Sequence, residues 1–411
     1  MDSTHTTVVV GASLAGMHAA RTLRVGGHAG RIIVLDADSH TPYDKPPLSK
    51  QVLSEGWEPE QLALHVLNED LDLELRLGFR ATGLDLDGRT VTGEGPGEPE
   101  VAFDSLVLAC GAAARHLPGT DGVDGVHVVR SLDDALALRS DLEASPGRVV
   151  VIGAGFIGAE VAASCRTLDI DVTIVEVLPL PLERVLGAEM GEVCAALHRA
   201  HDVDLRLGTG VDHLDTVPTA EGGRRVVGVA LSDGTSVAAE VVVVGIGVTV
   251  NTGWLEGSGL TLDDGIVCDD TLLAAPGVTA AGDIARYPSK RFGQMLRVEH
   301  WDHAIEGGEA AARRLLADMK GEEPTPFDPV PWFWSDQYDR KIQLAGRPLP
   351  TDEVQVVEGD PAEFRFVAIY GRGEQLVGVL GMNRPRHVMQ LRRILEQGGT
   401  VEQALERAAS F

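Results

Sequence analysis

Two glycine-rich segments carry the residues with the clearest chemistry. In the more regular one, Gly153, Gly155 and Gly158 follow a short apolar run and open a stretch of helical periodicity. The first glycine permits a tight turn, the second lets backbone approach a pyrophosphate, and the third lets helix and strand pack closely. The helix start then offers N–H groups and the positive end of its dipole to the phosphates. Glu176, roughly 20 residues on, closes the next apolar run. A carboxylate there accepts hydrogen bonds from ribose hydroxyls and repels a 2′-phosphate, which predicts NADH rather than NADPH. No arginine follows it until Arg184. Phe156, Ile157, Arg184 and Gly247 complete the expected NAD contacts.

The other segment contains Gly11, Ser13, Leu14, Ala15 and Gly16, with serine where the second glycine usually stands and Asp36 as its acid. Serine is small, so a pyrophosphate is hindered but not blocked; a purely structural turn is the alternative. Two dinucleotide sites in one chain point to internal electron transfer. A nicotinamide gives an electron pair as hydride, and a flavin accepts the pair and releases electrons singly.

Such loops need strands and helices to aim them, and the β-α-β rhythm appears twice. A strand over 7–10, a helix over 15–24 and a strand over 31–36 form one unit. A strand over 148–152, a helix over 156–168 and a strand over 171–176 form the other. Apolar runs this short, each meeting glycine and then helical spacing, predict parallel sheets covered on both faces. Residues 93–99 read as a surface turn, 105–114 as a strand and turn, 145–147 as a boundary, and 240–245 as a strand. A helix is expected near 303–319, then an acidic, proline-rich linker over 321–331. The remainder alternates like an antiparallel sheet and ends in a basic helix near 385–397 and a short final one.

Composition narrows the class. The 411 residues are 44% hydrophobic and 24% charged, with a net charge of −27. That excess of acid argues against sequence-independent nucleic-acid binding. Cys110, Cys165, Cys194 and Cys268 are scattered and form no C-x-x-C pair, so neither a disulfide framework nor a zinc site is expected. The N-terminal apolar stretch has no basic lead and reads as a strand rather than a leader. The longest valine-rich run, 241–248, is too short to span a membrane. A cytoplasmic protein is the expectation.

The motifs GASLAG (11–16), PPLSK (46–50), LVLACGAAARHLP (106–118), GAGFIGAE (153–160), GIGV (245–248), AAGDIA (280–285) and PWFWSDQYD (331–339) extend over the whole length. Through them the chain resembles the NADH-dependent ferredoxin reductases of bacterial oxygenase systems, within the glutathione-reductase-like flavoproteins with two dinucleotide folds. The resemblance implies an α/β fold of two Rossmann-like domains plus a smaller C-terminal α+β domain. An FAD-binding domain would comprise 1–116 and 245–325, an NAD-binding domain 117–244, and the C-terminal domain 326–411. Ala15, Asp36, Lys50, Arg130 and Asp283 are similar to FAD-contacting residues, as are Ala81 and Trp301 by alignment. Lys50 and Glu160 match a pair that lies near the flavin's reactive nitrogen in such enzymes. Trp334 is placed beside the flavin by resemblance, whereas Phe333 reads as core. Three departures stand out: Cys110 where the strand-turn motif carries threonine, Val250 where proline is usual, and Lys45 where arginine is common.

Disulfide reductases of this architecture need a cysteine pair that the chain lacks, and peroxidases a single cysteine where Ser49 stands. The implied acceptor is therefore an iron–sulfur ferredoxin. Ferredoxins of these systems are acidic, so docking calls for a local basic patch. Arg384, Arg386, Arg392 and Arg393 form one candidate and Lys290, Arg291 and Arg297 a second. An NADH oxidase or rubredoxin reductase remains an alternative, as does an NADH-sensing flavoprotein of the apoptosis-inducing-factor kind. A monomer and a homodimer are equally compatible with the sequence.

Overall fold

A computed structural model describes residues 4–144 and 147–411, so part of the expected boundary over 145–147 lies outside the described residues. The chain divides into two compact units. One comprises the chain up to Asp44, Pro59–Ala113 and Thr249–Pro331; the other comprises Lys45–Glu58, Ala114–Val248 and Trp332–Phe411. The stretch Lys45–Glu58 thus belongs to the second unit, although the segment that precedes it in sequence belongs to the first.

The first unit is built on a six-stranded sheet in the order Leu273–Ala275, Val278–Ala280, Ser105–Leu108, Thr6–Val10, Arg31–Asp36 and Glu74–Leu77. All neighbours pair in parallel except the first two. Val8, Val9 and Val34 have no exposed surface, which explains the unbroken β-branched runs: both sheet faces are covered. The helices Leu14–Val25 and Trp301–Lys320 touch backbone to backbone. A Cβ on Gly308 would lie 2.1 Å from the Ala15 carbonyl oxygen, so only glycine permits that approach.

The second unit repeats the plan. Its parallel sheet runs Val126–His127, Val241–Val244, Arg148–Ile152, Asp171–Glu176 and Asp204–Leu207. In both sheets the strand feeding the glycine loop is central and the next strand in sequence lies on one side of it. The order reverses there, which makes the carboxyl end of that strand the place for a ligand. An antiparallel sheet follows, in the order Trp332–Gln337, Arg340–Gly346, Gln375–Met382, Arg365–Arg372 and Glu353–Asp360. The helices Pro385–Glu396 and Val401–Ala408 come after it. Several described elements are missing from the sequence reading. Among them are the helix Leu132–Glu143 and the helix Glu183–Ala200, the latter broken at Gly187 where φ is 76°. Others are the antiparallel strands Val211–Pro218, Arg224–Leu231 and Ser236–Ala238, and those at Arg80–Asp85, Thr90–Glu94 and Glu100–Ala102. Gly93 consequently belongs to a strand, and the turn expected over 93–99 shortens to 95–99. No described helix is long and apolar enough to cross a membrane.

Candidate functional site

The two glycine loops have the same construction. Gly11 and Gly153 hold φ of 109° and 100°, in the left-handed region, and their N–H groups donate to Leu35 and Val175 of the neighbouring strands. A Cβ on Gly11 would stand 2.3 Å from the Ala109 oxygen, and one on Gly153 would stand 2.4 Å from that of Gly245. Gly16 and Gly158 are as constrained: a Cβ would fall 1.8 Å and 2.1 Å from the oxygens of Gly11 and Gly153. The acids brace these turns. Glu176 accepts the Ala154 N–H at 2.8 Å on one oxygen and the Leu178 N–H at 2.8 Å on the other. Asp36 accepts from Ala12 in the same manner and from Asp38 at 2.8 Å.

The second position shows that these residues fit a phosphate-bearing group. Gly155 has φ −77°, which suits any residue, and a Cβ there would meet only the Gly245 oxygen at 3.9 Å. Neither space nor backbone conformation demands glycine, which leaves close approach of a ligand as its reason. Ser13 holds nearly the same φ of −83° and makes no side-chain bond to the helix it caps. Gly247, with φ 99° and open space around its Cβ position, accepts the Arg115 N–H at 3.0 Å. Ile157 is 45% exposed, and Arg184 is exposed on the first turn of its helix. Phe156 instead packs edge-on against Phe333, with centroids 4.5 Å apart.

In the first unit, Ala15, Asp283 and Trp301 gather around one helix pair. A Cβ on Gly282 would sit 3.0 Å from that of Ala15, which places the Gly282–Ile284 turn with Asp283 against the start of the Leu14–Val25 helix. Trp301 opens its helix, and its indole N–H donates to Asp44 at 2.7 Å. Ala81 lies opposite Gly93 in the strand pair of Arg80–Asp85 and Thr90–Glu94. Asn251 donates to the Cys110 carbonyl at 2.8 Å, so at that turn the side chain of Asn251 makes a bond to the backbone.

In the second unit the structure brings Lys50 and Glu160 together. Pro46 and Pro47 preset the 3-10 turn Pro46–Ser49, which delivers Ser49 and Lys50 to the Phe156–Thr167 helix. Lys50 Nζ donates to Glu160 Oε2 at 2.7 Å, and Ser49 Oγ donates to the same oxygen at 2.6 Å. One helical turn on, Ser164 Oγ donates to the Ser49 carbonyl at 2.8 Å. Ser335 Oγ completes the set, donating to Glu160 Oε1 at 2.7 Å. Glu160 is 4% exposed, so its charge is paired inside the protein rather than solvated. Arg130 belongs to this unit as well; its N–H bonds to Asp134, and its carbonyl accepts from Lys45 at 3.3 Å. Sequence reasoning missed Ser335 and the bond from Ser49. Ser335 and Gln337 share a strand face with Phe333, and no local sequence pattern ties that face to Glu160.

The structure shows how the residues of the expected basic clusters are paired. The segment 383–393 is not a continuous basic face, because distant acids reach it. Arg384 pairs with Glu358 at 2.6 Å, and Arg392 pairs with Glu396 while lying 5.7 Å over the Trp332 ring. Arg386 and Arg393 remain exposed on the helix face that also shows Met389. In the second basic cluster Lys290 pairs with Asp270 at 2.7 Å, and Arg297 sits between Asp264 and Glu299. Trp334 lies beside Trp332, centroids 5.4 Å apart, with Lys341 Nζ 5.7 Å over its ring. All four cysteines are free; burial pushes the thiols of Cys165, Cys194 and Cys268 up to about 12 and that of Cys110 up to about 11.

Comparison with known proteins agrees with this architecture. The model of the pyridine nucleotide-disulphide oxidoreductases matches residues 5–308, and that of the reductase C-terminal domain matches residues 332–410. The chain belongs to the pyridine nucleotide-disulphide oxidoreductase family. Rhodocoxin reductase of Rhodococcus erythropolis is 37% identical to this oxidoreductase over 405 residues, spanning 97% of this chain and 92% of that protein. The ferredoxin–NAD(+) reductase component of the p-cumate 2,3-dioxygenase system of Pseudomonas putida is 33% identical, spanning 96% and 94%. The covalent putidaredoxin reductase–putidaredoxin complex contains a chain that superposes with a TM-score of 0.90 at 30% identity, spanning 100% and 99%. The fold is therefore that of two dinucleotide-binding domains and a C-terminal domain. The protein is an NADH-dependent oxidoreductase with FAD and NADH as its cofactors.

Proposed function

We propose that this oxidoreductase takes hydride from NADH and passes single electrons to an iron–sulfur ferredoxin that serves a haem monooxygenase or a ring-hydroxylating dioxygenase. The observation that carries the reading is the state of the cysteines in a chain with a reductase-type C-terminal domain. Three are buried with raised pKa, Cys110 is raised as well, and none is paired. With no reactive thiolate to relay electrons, they leave from the flavin to an external acceptor. Bound FAD supplies the exchange between an electron pair and single electrons. Gly11, Ser13, Leu14, Ala15, Gly16 and Asp36 would hold it together with Ala81, Arg130, Asp283 and Trp301. Gly153, Gly155, Phe156, Ile157, Gly158, Glu176, Arg184 and Gly247 would hold NADH. Lys50, fixed by Glu160, would present a positive charge to the flavin, and Trp334 would shield it.

For the acceptor, Arg386 and Arg393 are the part of the basic helix left for an acidic partner, with Met389 between them as an apolar contact. The unpaired cysteines favour a reducing compartment, hence the cytoplasm, for a monomer or homodimer. The test is stopped-flow reduction of the purified protein with NADH and NADPH, followed by addition of candidate ferredoxins. Faster reduction by NADH and rapid onward transfer to a ferredoxin are expected. Arg386→Glu with Arg393→Glu should weaken that transfer at low salt while ferricyanide reduction stays intact. A protein without flavin, or one that reduces oxygen in preference to every ferredoxin tried, overturns the reading.

A further inference from the structure

We infer that Ser335 is a positioning residue for the Lys50–Glu160 pair, so that the strand Trp332–Gln337 of the C-terminal sheet tunes the redox site. This rests on the proposed reading of Lys50 as a flavin-facing charge. The Phe156–Thr167 helix presents Phe156 and Glu160 one turn apart, and the strand presents Phe333 and Ser335 on one face. Phe333 meets Phe156 edge-on, and Ser335 Oγ meets Glu160 Oε1 at 2.7 Å. The two contacts share one helix face and one strand face, so they lock together.

The direction of the Ser335 hydroxyl is fixed as well. Gln337 Nε2 donates to Ser335 Oγ at 3.2 Å, which leaves the hydroxyl proton for the carboxylate. Glu160 then has Oε1 committed to Ser335 and Oε2 committed to Lys50 and Ser49. A carboxylate held at both oxygens cannot rotate about its terminal bond. The ammonium it anchors is confined in turn. Ser335 and Gln337 have no exposed surface, so water does not replace their bonds. Removing the Ser335 hydroxyl frees one oxygen of a buried carboxylate and lets the pair turn, which moves or dilutes the positive charge.

The test is the midpoint potential of the flavin in the purified holoprotein, measured by equilibrium titration against a reference dye alongside flavin content. Lys50→Met should lower the potential, because the charge that favours anionic reduced flavin is gone. Ser335→Ala should lower it by about 30 mV, a tenfold change in the equilibrium constant of a two-electron couple. Ser335→Thr keeps the hydroxyl and should restore the wild-type value. If Ser335→Ala fails to fold, Gln337→Leu carries the test, with a shift in the same direction expected. An unchanged potential in the serine variant, or in the glutamine variant when it replaces it, overturns the positioning role while Lys50→Met still shifts. An unchanged potential in Lys50→Met overturns the premise about Lys50. A wild-type protein purified without flavin overturns the proposed function itself.

Discussion

The two nucleotide loops of this chain are built alike in their bonding and, at their three glycine positions, differ only in the middle one. Each begins with a left-handed glycine whose Cβ would collide with a backbone oxygen, and each ends with a glycine whose Cβ would strike the first. Each is tied to its strand by an acid that accepts a loop N–H. Of the three glycine positions only the middle one varies, Ser13 against Gly155, and there the backbone of both is extended and ordinary. The fold dictates the outer glycines, whereas nothing within the protein requires glycine at the middle position. A sequence pattern of three glycines therefore mixes two kinds of constraint, and only comparison of the loops separates them.

The largest effect should come from the outer glycines. Gly158→Ala and Gly16→Ala each force a methyl to within about 2 Å of a backbone oxygen, so the helix must move off its strand. A destabilisation of about 4 kcal/mol is expected for each, beyond the usual range for single substitutions. Urea unfolding, followed by flavin fluorescence and far-ultraviolet circular dichroism, measures it. Equal losses in the two variants would uphold the equivalence of the loops, whereas a loss confined to one would break it.

Next in size is an acid effect that both units share. Burial pushes His198 in the second unit and His303 in the first down to about 4, from an ordinary 6.5. His201 adds to the shift at His198, while Asp283 opposes it at His303. His198 keeps a bond of 2.7 Å to the Tyr338 hydroxyl, and His303 stacks on Tyr287 at 5.6 Å. The unfolded chain binds these protons at higher pH than the folded one, so each contribution is intact above about 6.5 and is lost as pH falls toward 4. The linkage is about 3 kcal/mol per histidine. Replacing His303 with glutamine should flatten the fall in stability between pH 6.5 and 4.5 by about 2 kcal/mol, read from urea midpoints. An unaltered slope would show that His303 titrates normally.

Much of this arrangement was legible in the sequence because the strands feeding the loops are buried on both sides. Such strands must be short, apolar and β-branched, and the bounds 31–36, 148–152 and 171–176 emerge from that pattern alone. The strands over 211–238 were not legible, since half of their residues face solvent and alternate weakly. The helix Glu183–Ala200 was hidden by Gly187, whose left-handed φ interrupts the periodicity a reader relies on. Long-range pairing was hidden most of all. Nothing near Arg384 in sequence announces Glu358, nor does anything near Glu160 announce Ser335, because those bonds exist only once the sheet has formed.

The acids permit a narrower test of the loops. Glu176 has two oxygens bonded to backbone N–H groups, yet each oxygen can accept again from a ribose hydroxyl. Glu176→Arg removes both the brace and the repulsion of a 2′-phosphate. The preference for NADH over NADPH in kcat/KM should fall by about 100-fold, near 2.7 kcal/mol. Asp36→Asn, which keeps one acceptor oxygen for Ala12, should leave that preference unchanged and alter only flavin retention. A shift in nicotinamide preference from Asp36→Asn would mean that the roles of the loops are assigned the wrong way round.

The smallest expected effect is the most discriminating, because it exchanges the one glycine position by which the loops differ. Gly155→Ser places a side chain where the nearest protein atom to a Cβ is 3.9 Å away, and its backbone already has the φ of Ser13. Folding should be indifferent to the change, with stability within about 0.5 kcal/mol of the wild type. NADH should suffer, since the hydroxymethyl group occupies the approach of the pyrophosphate. A rise in KM of about tenfold with kcat nearly unchanged is expected, which is the signature of lost binding common to ground and transition states. The reciprocal change, Ser13→Gly, removes a hydroxyl that makes no bond to its helix, so the fold gives it no reason to stay. If flavin retention is also unaffected, Ser13 is tolerated rather than used. If retention falls, the serine itself contacts the flavin's phosphates, and the departure from the glycine pattern is an adaptation of that loop to its own cofactor.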